Sequence, residues 1–205
     1  MRGARMMGGL VGLVVMVGAL AGPGSASAAS IVPAGTSFPL GSVTDQVLSI
    51  SANTQVRCNR LIFSGTSANP ASGSVGLTAT FGTATGIAGS WCRLYVGGVF
   101  AAASVTSSSR WYWNVSTLSS GISNGTMTTG TTSVTVGTCT IALPAGMFLS
   151  ATGTNFTSPP WGMTLALDAA WLSYTSSGCA MFGIPASGST ATYSGSVMTT
   201  SVYVA

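Results

Sequence analysis

Histidine, lysine and glutamate do not occur anywhere in this 205-residue chain. Without an imidazole there is no histidine general base, no Ser-His-Asp triad and no histidine metal ligand. The absence of lysine closes Schiff-base chemistry, the Ser-Lys dyad and the phosphate-loop lysine. Only two carboxylates remain, Asp45 and Asp168, and glycoside hydrolysis needs two that face a single bond. Two are also few for calcium, which takes six to eight oxygens. Charged residues make up 4% of the chain, far below the ~25% of an ordinary soluble domain. No cofactor, no metal site and no catalytic residue is expected, and the chain reads as a non-enzyme.

The first segment is set apart by its own pattern. Arg2 and Arg5 precede an apolar run from Gly8 through Leu20, Pro23 and Gly24 break it, and Ala26-Ser27-Ala28 follows. A charged start, a short apolar stretch and a small-x-small site together read as a cleavable secretory signal. The run is shorter than the ~20 residues a spanning helix needs, and no later segment is long enough either. We therefore expect a signal over residues 1–28, a mature domain over 29–205 and no transmembrane helix after cleavage.

Removing the signal changes the meaning of the charge. The formal net charge is +4, but two of the six cations leave with the signal. Arg57, Arg60, Arg93 and Arg110 remain against Asp45 and Asp168. Four scattered cations do not form the clustered patch that neutralises phosphates, so nucleic acid is not an expected partner. Low charge weakens repulsion between molecules and favours association. Such a surface suits a protein held in an envelope, a matrix or an assembly of itself.

Four cysteines follow, Cys58, Cys92, Cys139 and Cys179. An even count in an exported chain points to two disulfides. Metal binding would want closer pairs. Three connectivities are open. A faint internal echo favours one of them. Each half carries a cysteine in an apolar strand (Cys58, Cys139), a Gly/Ser/Thr-rich stretch, and a second cysteine opening another strand (Cys92, Cys179). Equivalent pairing gives Cys58–Cys92 and Cys139–Cys179.

The mature part is rich in Ser, Thr, Gly and Val, and poor in helix formers. Short apolar or alternating runs recur between Gly, Ser, Asn and Pro clusters. Strands are expected at 47–51, 55–63, 74–81, 91–95, 99–105, 110–115, 126–129, 133–136 and 139–143. Further ones are expected at 148–151, 163–167, 170–174, 179–184, 191–193 and 197–204. Asn124-Gly125 reads as a hairpin tip because both residues tolerate positive φ. The fold class is all-β: a disulfide-stapled antiparallel β-sandwich, with the echo allowing two related β units.

Three motifs require a decision. Gly121-Ile122-Ser123-Asn124-Gly125 matches G-x-S-x-G, but without a histidine partner it is a chance match. Arg110-Trp111-Tyr112-Trp113 alternates, so Trp111 and Trp113 share one face. They either fill the core or form an aromatic face for glycans or apolar ligands. Asp168 lies in an apolar run and needs a cation if buried, for which Arg93 or Arg110 would serve.

Cys58 and Cys139 in apolar strands, Gly89-Ser90-Trp91-Cys92 and the late Tyr193-Ser194-Gly195-Ser196-Val197 carry a resemblance. The mature chain resembles small secreted Ser/Thr/Gly-rich proteins of actinomycete-type bacteria. It is also similar to the PraB type, which is associated with the cell surface and biofilm. The Trp111–Trp113 cluster departs from that type. The resemblance implies an exported structural or surface-associated role through envelope, matrix or self contacts. A secreted binding module for glycans or apolar ligands, and a membrane β-barrel, are the other readings the residues allow.

Overall fold

A computed structural model describes residues 29–81 and 92–205. The signal expected at residues 1–28, and Trp91 with the Gly89-Ser90 before it, lie outside the described residues. The strands are β1 (Ile31–Val32), β2 (Ser37–Ser42), β3 (Gln46–Ser51), β4 (Thr54–Cys58), β5 (Leu61–Thr66), β6 (Ser74–Phe81), β7 (Cys92–Val96) and β8 (Val99–Ser107). They continue as β9 (Trp111–Ser119), β10 (Ile122–Thr128), β11 (Thr132–Val136), β12 (Cys139–Leu143), β13 (Phe148–Asn155), β14 (Met163–Ser177), β15 (Ser187–Thr199) and β16 (Tyr203–Val204).

The pairing resolves these strands into eight long staves. β2 with β3, β4 with β5, β6 with β7, β8 with β9, β10 with β11 and β12 with β13 are upper and lower halves of six staves. β14 and β15 are single strands long enough to be the seventh and eighth. Each stave runs antiparallel to the next, and β15 pairs back onto both β2 and β3. The ladder therefore closes on itself. The expected antiparallel, disulfide-stapled all-β fold is present, and its two layers are joined along both edges. Among the described residues closure removes most of the edge an open sheet would offer, leaving short stretches such as Val99–Ala103 of β8 paired on one side only.

Alternation decides which side is inside. Leu48, Ile50, Val56, Leu94, Val105, Val134 and Ile141 are buried, with partly or fully exposed residues between them. Trp113, Phe63, Leu77, Met127, Leu149 and Leu165 fill the lower half. One end is closed by a small ribbon of β1 and β16. The Asn155 amide clamps it: Nδ2 donates to the Val204 carbonyl at 2.6 Å, and Oδ1 accepts from the Val204 N–H at 3.1 Å.

Both disulfides join the cysteines expected, Cys58–Cys92 and Cys139–Cys179. The first crosses staves two and three, the second staves six and seven. Those pairs sit opposite each other in an eight-stave ring; the first bridge lies at the waist, where β4 gives way to β5, and the second at the end away from the β1–β16 ribbon. The internal echo is thus a feature of one closed ring rather than of two separate units.

Several expectations are corrected. Asn124-Gly125 is not a hairpin tip; it lies inside β10, where the register against β9 shifts. The tip is Ser120-Gly121, with φ of 51° and 78°, so both central residues supply the positive φ that a tight hairpin turn needs. At Gly125 a side chain would collide with the Asn114 carbonyl, so the glycine serves a bulge rather than a turn. The strand expected at 179–184 is instead a short 3₁₀ turn, Ala180–Phe182. Gly178 and Gly183, with φ of 68° and 64°, bend the chain on either side of it. The run 55–63 breaks into β4 and β5 at the kink of its stave. β2 was not expected, because Pro39 and Gly41 disguise it.

Candidate functional site

Among the described residues, side chains fill most of the interior. Trp111 and Trp113 both point inward, 3% and 1% exposed. The indole N–H of Trp111 donates to Ser107 Oγ at 3.0 Å, and its ring packs on Phe63 with centroids 5.2 Å apart. Of the two roles open to this pair, the structure shows the core one, and Tyr112 between them is exposed. The central cavity measures about 40 Å³, scarcely more than the space one or two waters occupy.

Polar groups in that interior are satisfied by one another. Gln46 opens β3, at the kink where the first stave parts from β15. Its Nε2 donates to the Thr44 and Ser196 carbonyls, both at 3.0 Å, and its Oε1 accepts from the Tyr193 hydroxyl at 2.6 Å. The amide thereby replaces ladder bonds that the kink interrupts. Burial pushes the Tyr193 phenol well above its ordinary range. These contacts are structural.

The residues of the G-x-S-x-G match are equally quiet. Ser123 is 2% exposed and faces the barrel interior from β10. Asp45 and Asp168 are both exposed. Asp168 stands between Ser150 and Ser194 in the ladders, so the ion pair expected with Arg93 or Arg110 is not formed. Exposure removes the need for a buried partner. Arg110 lies instead beside Gly76, where a Cβ would meet its Cδ at 3.6 Å. The register puts Asp45 and Asp168 two strand spacings apart, roughly 10 Å, and offset along the wall. That separation is too wide for paired carboxylates to share one glycosidic bond.

The outer wall carries a cluster of cations and aromatic rings. Arg57 on β4 and Arg93 on β7 are directly opposite in the ladder. Gln55 and Tyr95 form the next outward pair, and Phe100 on β8 faces Tyr95. The Arg57 guanidinium stacks on Tyr95, 5.1 Å from the ring centroid, and donates through Nε and Nη2 to Gln55 Oε1 at 3.0 and 2.8 Å. The Arg93 guanidinium stacks on Phe100 at 4.8 Å, and the two rings are 5.9 Å apart. Sequence reading did not assemble this cluster, although a signal existed. Arg57-Cys58 and Cys92-Arg93 are mirror dipeptides, so an antiparallel bridge between the cysteines sets the arginines face to face.

A second exposed group sits at the waist of the barrel. Trp171 is 76% exposed and has φ of 64°, in a bulge where β14 slips against β15. Phe148, 68% exposed, begins the adjacent β13. A non-glycine residue in the left-handed region costs about 1–2 kcal/mol. The bulge spends this to present an indole to solvent.

Among the described residues no group of three or more Cys, Asp or Glu is placed to hold a metal, and no helix is long and apolar enough to cross a membrane. The two disulfides belong to the chemistry of an oxidising compartment. Compared with known proteins, the chain matches no family model, no curated protein and no solved structure.

Proposed function

We propose that the protein is exported and works as a non-enzymatic, cell-surface- or matrix-associated barrel. It acts through contacts of its outer wall with envelope or matrix components, or with further copies of itself. The observation that carries this reading is the distribution of side chains. Trp111, Trp113 and their neighbours fill the interior, while the aromatic and cationic groups that reach solvent stand on the outside. The signal-like first segment, the two disulfides and the PraB-type resemblance support the same location.

The wall argues against burial in a bilayer. A membrane-spanning barrel presents an apolar band outward and polar residues inward. Here the outward positions include Ser104, Thr106, Ser150, Asp168, Ser173 and Ser194, and the inward ones are mostly apolar, with Leu, Val, Ile, Trp and Phe prominent beside a few buried polar residues such as Gln46 and Ser123. The purified mature protein is expected to stay soluble without detergent.

Cell fractionation combined with sedimentation of the purified protein tests the proposal. Retention in the envelope or matrix fraction, or assembly into larger particles, is the expected result. A monomer that diffuses freely and is found only in the medium refutes it.

A second reading, a secreted glycan-binding module, is favoured by the Arg57–Tyr95–Phe100–Arg93 cluster. It is compatible with the first, because binding an envelope or matrix polymer is one way to be retained there. A glycan array reports on it directly.

A further inference from the structure

We propose that the outer wall of β4, β7 and β8 binds the carboxylate-bearing sugars of an acidic polysaccharide. Arg57 and Arg93 hold the carboxylate groups, and Tyr95 and Phe100 supply apolar ring surface for the sugar. This rests on reading the protein as one that works through its outer wall.

The charge placement is the first reason. The mature chain has four cations, and two of them share one cross-strand position. Like charges directly opposite in a ladder destabilise it. Their neighbours in the outward rows are Gln55, Tyr95, Phe100, Ala102 and Val47, and none is acidic. Asp168 lies in the same row as Arg57 but three strands away through Val47 and Ser194. That is roughly 14 Å, beyond the Debye length of ~8 Å at physiological salt. Asp45 precedes β3 at the end away from Gln55 and Tyr95, toward which Arg57 turns. An anion from outside would relieve this repulsion.

Preorganisation is the second reason. Stacking on Tyr95 and Phe100 holds the two guanidinium groups. Gln55 takes two hydrogen bonds from Arg57, which leaves three of the five N–H donors of a guanidinium. The Cys58–Cys92 bridge occupies the adjacent ladder position, with Cα atoms 4.0 Å apart. It ties together the two strands that carry the arginines. A held side chain loses less freedom on binding, and guanidinium pairs with carboxylate through two parallel hydrogen bonds.

The shape of the wall selects a polymer. This stretch of the barrel wall is uncovered, and a small acid on it would keep most of its surface in water. A polysaccharide repeats its carboxylates and spreads over several strands. The outward rows continue across β3 and β15 as Ser49, Thr192 and Ser194, which offer hydroxyl groups to sugar hydroxyls.

The test is calorimetric titration of the mature protein with polygalacturonate at low and physiological salt, with dextran as the neutral control. Binding to polygalacturonate that weakens with salt, and none to dextran, is expected. Arg57→Gln and Arg93→Gln should each lower affinity about tenfold or more, with thermal midpoints no lower than the parent's. Arg110→Gln removes the same charge elsewhere and should leave affinity unchanged. Phe100→Ala should weaken binding several-fold.

No binding at low salt overturns the proposal. So does a loss in Arg110→Gln equal to that in Arg57→Gln, because net charge alone would then explain the affinity. Binding to phosphatidylglycerol vesicles that polygalacturonate does not compete away also overturns it, by making a membrane surface the partner. Retention of the protein in the envelope fraction despite a failed titration would sink this site alone and leave the broader reading standing.

Discussion

Removing the Tyr193 hydroxyl should cost more than the loss of one exposed hydrogen bond, because its partner cannot turn to water. Tyr193 and Gln46 are 7% and 2% exposed. Gln46 Oε1 accepts from the Tyr193 hydroxyl, and Tyr193→Phe leaves that oxygen buried and unpaired. A stranded buried acceptor costs about 1–3 kcal/mol. Gly195 approaches the same amide from β15, and a methyl there would overlap Gln46 Oε1 and Cδ. Gly195→Ala must therefore displace the amide, breaking the bond to Tyr193 and the two to the Thr44 and Ser196 carbonyls. At about 1 kcal/mol net for each bond, the loss is about 3 kcal/mol before any strain. The Ser196 carbonyl is partly protected, because it also accepts from the Val43 N–H at 2.9 Å. Both substitutions remove the Tyr193–Gln46 bond, so the double variant should cost about 1–2 kcal/mol less than the sum. Urea unfolding of the parent, the two single variants and the double variant, at unchanged m-value, measures this. Additivity within ~0.5 kcal/mol would refute the claim that both residues act through the Gln46 amide.

Other expectations follow from burial and covalent linkage. The Tyr193 phenol is raised above its ordinary value by burial, and Tyr174 is raised in the same way. The stability this represents is complete below the unfolded tyrosine pKa of ~10 and declines above it, by up to ~1.4 kcal/mol per pH unit for each phenol. Tyr193→Phe should reduce that alkaline slope in denaturation curves without abolishing it; an unchanged slope would exclude Tyr193 as a source. The disulfides close loops with sequence separations of 34 and 40. Replacing either pair by alanine should lower stability by about 4 kcal/mol in the chain-entropy model, read as the shift in urea midpoint. Trp113→Ala should cost about 3–5 kcal/mol, whereas Trp171→Gly should be neutral or stabilising, because glycine adopts the left-handed conformation freely. Equal losses at the two tryptophans, measured by thermal denaturation, would contradict the assignment of one to the core and the other to the wall.

Local chemistry made much of this fold legible. The alternation in Arg110-Trp111-Tyr112-Trp113 placed both indoles on one face, and the only large interior available is the barrel's. The cysteines could be paired because each half repeats the same order: a cysteine in an apolar run, a Gly/Ser/Thr-rich stretch, then a second cysteine. What escaped was everything that depends on register between distant strands. β15 closes on β2 and β3 across some 150 residues, and no local pattern encodes which edges meet. Asn124-Gly125 carries the strongest hairpin signal in the chain, yet Gly125 is needed where the Asn114 backbone crowds it. A close approach and a positive φ both select glycine, and the sequence does not distinguish them. The same limit hid the arginine pair, which exists only because β4 and β7 lie side by side.

Closure and low charge are linked. An open sheet with so little charge would expose unpaired N–H and C=O groups with few like charges to keep copies apart. In the closed ring most of those groups among the described residues are paired, so contact by edge-to-edge strand addition is reduced. Specific contacts then fall mainly to side chains on the wall. Most of those are Ser, Thr and Ala, which bind weakly and without preference. Arg57 and Arg93 with their aromatic supports, Trp171 in its bulge, and the exposed Tyr112, Phe148, Trp161 and Met181 stand out from that background. If the wall binds a polymer as proposed, substitution of Arg57 and Arg93 together should erase that binding while the barrel beneath remains folded.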